Sequence, residues 1–189
     1  MNSPVPAGSS TAALGHLALG LTLLAFGIGH TGIIDGVTAA DAVAPATYVG
    51  GITLFLAGLL ALRDRDAFTG TAFAAFGALW FTWGVGADGL VSHNAAGLFL
   101  LLFALVALSL TAGAPRDALL IGGAYGLTAV ALLLLAVGQF AESGTLAEVG
   151  GWFAAVAGLA AWYAATAALA HWPTALPRRA AGRGVTATG

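Results

Sequence analysis

Six long runs of apolar residues, each parted from the next by a short polar or charged stretch, set the pattern of this chain. They cover residues 12–34, 45–62, 67–86, 95–113, 118–140 and 149–170, and each is close to the length of about 20 apolar residues with which a helix crosses a bilayer. Asp35 to Pro45 forms an acidic, proline-bearing interruption, and Arg63-Asp64-Arg65-Asp66 a tight charged turn. Asp88 to Asn94 is polar, Ala114-Pro115-Arg116-Asp117 is a proline turn, and Ala141 to Glu148 is acidic. The pattern predicts an all-α membrane protein: a bundle of six transmembrane helices over 12–172, a short N-terminal tail at 1–11, and a mobile C-terminal tail at 173–189. That last stretch turns to Arg, Pro, Ala and Gly, a composition too poor in bulky apolar groups to fold alone.

Charge adds a direction. All six arginines fall in the second interruption (Arg63, Arg65), the fourth (Arg116) and the C-terminal tail (Arg178, Arg179, Arg183). The first, third and fifth interruptions carry Asp35, Asp41, Asp88, Glu142 and Glu148 and no arginine. With six spans, the arginine-bearing regions share one side of the membrane. Positive charge is retained on the cytoplasmic face, so both termini are expected there and the protein is expected in the cytoplasmic membrane.

Composition excludes several classes. The chain is 59% apolar and 7% charged, against about a quarter charged in an ordinary soluble domain. The net charge of −2 and the absence of lysine leave no basic face for nucleic acid. There is no cysteine, hence no disulfide or thiolate site. No Asp, Glu, Lys or Arg lies near the middle of any span, which argues against a carboxylate relay. No nucleophile, dyad or ligand cluster supports catalysis, so neither catalytic residues, nor a metal, nor a cofactor is expected.

What remains inside the spans is neutral, small or aromatic. The 28 glycines lie largely within the runs, where small residues let helices approach closely in lipid; Gly27 and Gly29, Gly50-Gly51 with Gly58, and Gly150-Gly151 with Gly158 are such surfaces. In the third run Thr69, Phe73, Phe76, Trp80 and Trp83 recur at helical spacing and make one stripe. In the fifth, Tyr125, Thr128 and Gln139 project to one side, and a buried Gln requires a partner or water. His16 and His30, four turns apart in the first run, share a face. Gly20-Leu21-Thr22 of the first run is echoed by Gly126-Leu127-Thr128 of the fifth, and internal repeats are common in transporters.

The stretch from Tyr48 through Gly50-Gly51 to Ala57-Gly58-Leu59-Leu60, and on through Asp66, Phe68, Thr71-Ala72-Phe73 and Phe76-Gly77 to Trp80, resembles the second and third helices of the acetate uptake transporter family, the succinate–acetate permeases. Similarity continues at Leu127-Thr128 with Gln139, and at Gly150-Gly151-Trp152 with Tyr163. The resemblance implies a six-helix protomer, a homo-hexamer, and one pathway per protomer for acetate and related small carboxylates. It also implies a narrow point formed by Leu19, Phe76 and Leu127, two of which stand where the family has Phe and Tyr. The family motif ending Leu-Gly-Leu before the first helix reads Leu14-Gly15-His16 here.

The expected function is transport of acetate or a similar short monocarboxylate. A dry ring at Leu19, Phe76 and Leu127 would stop water and ions, while neutral groups on either side replace part of the carboxylate's hydration. Thr22, His30, Trp80, Thr128 and Gln139 are the candidates for those groups. The expected partners are the small carboxylate substrate, protons and membrane lipid. A urea or short-amide channel and a nontransporting membrane scaffold are the alternatives.

Overall fold

The structure, a computed structural model, describes residues 8–86, 91–116 and 118–172. Six helical spans follow in order: α1 Gly8–Thr31, α2 Ala39–Arg63, α3 Ala67–Gly86, α4 His93–Gly113, α5 Leu119–Phe140 and α6 Gly144–Ala170. No strand occurs among the described residues. Five of the six are long and apolar enough to cross a membrane; α3 falls short because Gly, Thr and Trp dilute its hydropathy. α3 instead carries three fully buried aromatic rings, Phe73, Phe76 and Trp80. Residues such as Leu98, Leu102 and Leu105 of α4 turn outward, as lipid-facing side chains do.

Several boundaries differ from the sequence expectation, each for a local reason. α1 begins at Gly8, so residues 8–11 are helix rather than tail. The expected tail at 173–189 lies outside the described residues. α2 begins at Ala39 rather than residue 45, with Asp41 accepting from the Thr38 N–H at 2.8 Å. Pro45 thus sits within the helix, in the first α-helical turn after the 3-10 turn Ala39–Ala42, where its missing N–H costs little. The helix then widens to a π-helix over Ala46–Thr53, and the Thr53 hydroxyl reaches the Tyr48 carbonyl five residues back at 3.2 Å. α4 starts at His93 because Ser92 caps it, accepting from Ala95 N. α6 starts at Gly144 because Ser143 caps it in the same way, accepting from Leu146 N. The charged turn at 63–66 is as tight as expected: Arg65 takes a left-handed conformation (φ 64°), and Asp66 Oδ1 accepts from the Thr69 N–H at 3.0 Å to start α3.

Two glycine seams hold the bundle. On α1, a Cβ added to Gly20 would lie 2.9 Å from the Gly158 carbonyl oxygen, and one added to Gly27 would lie 2.6 Å from that of Gly151. Seven residues forward along α1 match seven back along α6, the register of antiparallel helices in direct backbone contact. α2 and α3 repeat the device: a Cβ at Gly58 would meet the backbone of Gly70 and Ala74, and one at Gly77 the backbone of Phe55. At these positions any side chain would push two backbones apart. Such close approach lets dispersion and Cα–H···O contacts replace the hydrophobic drive that lipid does not supply. α5 packs on the other side of α6 and α4 on α5, while α3 and α4 scarcely touch. The bundle is therefore a ring of six helices with a weak seam between α3 and α4.

Candidate functional site

Because α1, α3 and α5 run in the same direction, their inward residues form successive levels along the axis. Nearest the end that carries Arg63, Arg65 and Arg116, the His16 ring meets Phe73 edge-on at 4.9 Å, with Tyr125 at 6.4 Å and Phe68 beyond it. One turn further, Leu19 and Phe76 are wholly buried, and Phe76 lies 5.7 Å from the Tyr125 ring. Leu127 of α5 is half-buried and packs against the hydrophobic core. Thr128 beside it is fully buried and donates to the Ala124 carbonyl at 2.8 Å.

The next level holds Thr22 of α1, Trp80 of α3 and Gly50 of α2. Thr22 and Trp80 are both 1% exposed. A Cβ built on Gly50 would lie 2.6 Å from Thr22 Cγ2 and 2.8 Å from Trp80 Cγ, so the π-helical turn brings bare backbone against both. Thr22 Oγ1 and Trp80 Nε1 have no hydrogen-bond partner. A buried polar atom left unpaired costs about 1–3 kcal/mol, and native proteins carry few of them. Two at one level, from different helices, mark the position as one shaped for something other than packing.

Above it lies an aromatic cluster: Phe26 stands edge-on to Trp80 at 5.0 Å and to Trp83 at 5.6 Å, and His30 lies 4.4 Å from Phe26. His30 Nδ1 sits 2.8 Å from the Phe26 carbonyl. At the far end, a cavity of about 410 Å³ opens between α3 and α4, lined by Thr82, Trp83, Val91, His93, Phe99 and Gln139 among others. Gln139 Oε1 is 2.9 Å from His93 Nδ1.

The structure buries Leu19, Thr22, Phe76, Trp80 and Thr128 inside the bundle, packs His30 on Phe26, and sets Gln139 on the wall of the cavity at the far end. The echoed triplets bury both Thr22 and Thr128 but with different bonding, since only Thr128 finds a carbonyl. Sequence reasoning missed His93, which it placed in a loop; the signal was Ser92, a good N-cap residue immediately before it. It left Gly50 between helix packing and pore lining, because a glycine's neighbours on other helices are invisible in the chain.

Fold and site together define a multi-pass membrane protein: a six-helix bundle whose axis is lined by aromatic, aliphatic and unpaired neutral polar groups. The chain belongs to the GPR1/FUN34/yaaH family, whose model matches residues 3–175. It is 25% identical over 159 residues to the succinate-acetate/proton symporter SatP of Escherichia coli strain K12, covering 79% of this chain and 82% of the relative. It is 26% identical over 181 residues to the ammonia transport outward protein 2 of Saccharomyces cerevisiae, covering 84% of this chain and 64% of that protein. Its fold is that of the bacterial acetate channel SatP, with a TM-score of 0.77 at 24% identity over 85% of this chain and 92% of that one.

Proposed function

We propose that the protein carries acetate or a similar short monocarboxylate across the cytoplasmic membrane, through a pathway within each protomer that runs along the buried column. The observation that carries this reading is the unpaired pair Thr22 Oγ1 and Trp80 Nε1 facing Gly50. An indole N–H donates only, and a hydroxyl donates as well as accepts. Two donors at one level suit a ligand rich in acceptors, and a carboxylate offers two oxygens. Ammonium, the protonated form of the ammonia for which the yeast relative is named, only donates and gains nothing from the Trp80 N–H, whereas a carboxylate accepts from both groups. The Phe26 ring beside Trp80 gives the methyl group an apolar wall.

On this reading Leu19, Phe76 and Leu127 form the dry ring on one side of the donor level. His30, Thr128 and Gln139 flank the path as polar groups. The protomers assemble as a homo-hexamer, a stoichiometry that native mass spectrometry in mild detergent reads directly.

Labelled acetate should enter proteoliposomes faster than protein-free vesicles, and labelled urea should not. Acetate at the protein-free rate with urea above it would reverse the assignment to an amide channel. Thr22→Val removes one donor at nearly constant volume, and Trp80→Phe removes the other while keeping a smaller aromatic ring. A hydrogen bond to a charged ligand contributes about 1.5–3 kcal/mol, so each should weaken half-saturation by about 10- to 100-fold. Unchanged saturation in both variants would remove this level from the pathway.

Both termini face the cytoplasm in this proposal, on the strength of the arginine distribution. Single cysteines test it cleanly in a chain that has none. Leu119, beside the Arg116 turn, and Val91, at the opposite end, are 69% and 52% exposed. In whole cells an impermeant thiol reagent should label Val91→Cys and spare Leu119→Cys; the reverse pattern would invert the topology.

A further inference from the structure

α2 and α3 keep one register along their whole seam. A Cβ on Gly51 would meet Phe81, one on Gly77 would meet Phe55, one on Gly58 would meet Ala74, and one on Gly70 would meet Leu62. The two backbones therefore stay close from the π-helical turn down to the charged turn. Leu56, Leu59 and Arg63 of α2 share one outward face at helical spacing. Thr71 and Ala78 of α3 are exposed but small. On the outward side lies a cavity of about 370 Å³, lined by Gly51, Ile52, Phe55, Leu56, Ala78 and Phe81 among others. Its four large side chains are all exposed at the surface of the bundle, so the cavity opens toward lipid rather than toward the axis. Thr82 is the only polar side chain among its described lining residues, so an occupant there is apolar.

The turn at the foot of this face carries free positive charge. Arg63 and Arg65 are exposed, and among the described residues neither guanidinium makes a hydrogen bond or an ion pair. The backbone fixes Arg65 at the tip: it is left-handed (φ 64°), and its N–H donates to the Leu62 carbonyl at 3.0 Å. Of the two acids in the turn, Asp66 is turned back onto the Thr69 N–H to start α3, and Asp64 pairs with neither arginine. A guanidinium binds phosphate through two parallel hydrogen bonds. Arg63 lies about 10 Å along the helix from Leu56, at 1.5 Å per residue. An acyl chain reaches about 15 Å into the bilayer, half of the hydrocarbon core, so one lipid molecule spans both features.

We propose that the outward face of α2 and α3 is a binding site for an anionic phospholipid, with the phosphate on Arg63 and Arg65 and one acyl chain in the cavity beside Gly51 and Ala78. Phosphatidylglycerol brings a phosphate and no cation to the arginines. Phosphatidylcholine brings a cation of its own, which two guanidiniums repel. The bound lipid braces the helix pair that presents Gly50 to Thr22 and Trp80.

Native mass spectrometry of the full chain in mild detergent, with phosphatidylglycerol or phosphatidylcholine of the same acyl chains added, tests the site. Wild-type protein should hold phosphatidylglycerol about 10- to 30-fold more tightly, the preference that two arginines beside an anionic lipid supply. Arg63→Gln together with Arg65→Gln should abolish that preference. Arg116→Gln, in the other arginine-bearing turn, should keep it. Ala78→Trp fills the cavity from an exposed position and should weaken both lipids alike. Equal affinity of the wild-type protein for the two lipids would overturn the proposal. An equal loss of preference in Arg116→Gln would do the same, since it would reduce the effect to diffuse surface charge. Ala78→Trp that holds both lipids as wild type does would also overturn it. If that variant lowers the mass of the assembly while lipid binding stands, the face belongs to a second copy of the chain and the proposal falls.

Discussion

Replacing Gly27 by leucine should leave no folded bundle to purify. A Cβ at that position would sit 2.5 Å from the Ala155 amide nitrogen and 2.6 Å from the Gly151 carbonyl oxygen. Both atoms belong to backbone, so no side-chain rotation relieves the clash and α1 must separate from α6. Overpacking a core costs about 1–3 kcal/mol where neighbours can shift; here whole helices must move, and the seam includes Gly20 against Gly158 as well. Domains are held by only about 5–15 kcal/mol in total. Gly27→Leu is expected to abolish the monodisperse peak in size-exclusion chromatography, and Gly27→Ala to lower the thermal midpoint. Gly123, also within a helix, supplies the control, because a Cβ there meets nothing within 4 Å. Gly123→Ala should leave the midpoint unchanged or raise it slightly. Equal midpoints for Gly27→Ala, Gly123→Ala and wild type would show that the α1–α6 seam does not depend on the missing side chain.

Shortening Phe76 or Leu127 should raise the transport rate and let larger carboxylates such as succinate through. Leu19 and Phe76 are wholly buried, one turn away from the unpaired Thr22 and Trp80, and Leu127 is half-buried against the hydrophobic core. If these three close the column, Phe76→Ala or Leu127→Ala widens it and admits water. Leu19→Trp adds bulk at the same level and should block. Packing alone predicts the opposite for the truncations: large-to-small changes in a core cost about 2–5 kcal/mol and would lower both yield and rate. The accounts differ in sign, so flux per folded protomer separates them. Well-expressed variants with unchanged rate and selectivity would take the trio out of the pathway.

The six apolar runs, and hence the number of spans, were legible because burial in lipid demands length and apolar character from each helix separately. Even α3, the least hydropathic, has the bounds expected for it, 67–86. Ends were less legible where caps decide them. Ser92 and Ser143 each start a helix some residues before the apolar run begins, and residues 39–44 were read as loop although they lie inside α2.

The chain by itself thus determined the class of protein, the span count and the residue types available for a pathway, since these follow from composition and one-dimensional pattern. It could not say which polar groups find partners. Thr22 and Thr128 sit in the same Gly-Leu-Thr setting, yet one bonds a carbonyl and the other faces Trp80 and Gly50 unpaired. His16 and Tyr125 are 109 residues apart in the chain and meet across the column; Gln139 gains His93 in the same way. Such pairings depend on the rotation of each helix about its axis and on how deeply the glycine seams let backbones approach. Those are set by contacts between helices, which only the tertiary structure decides.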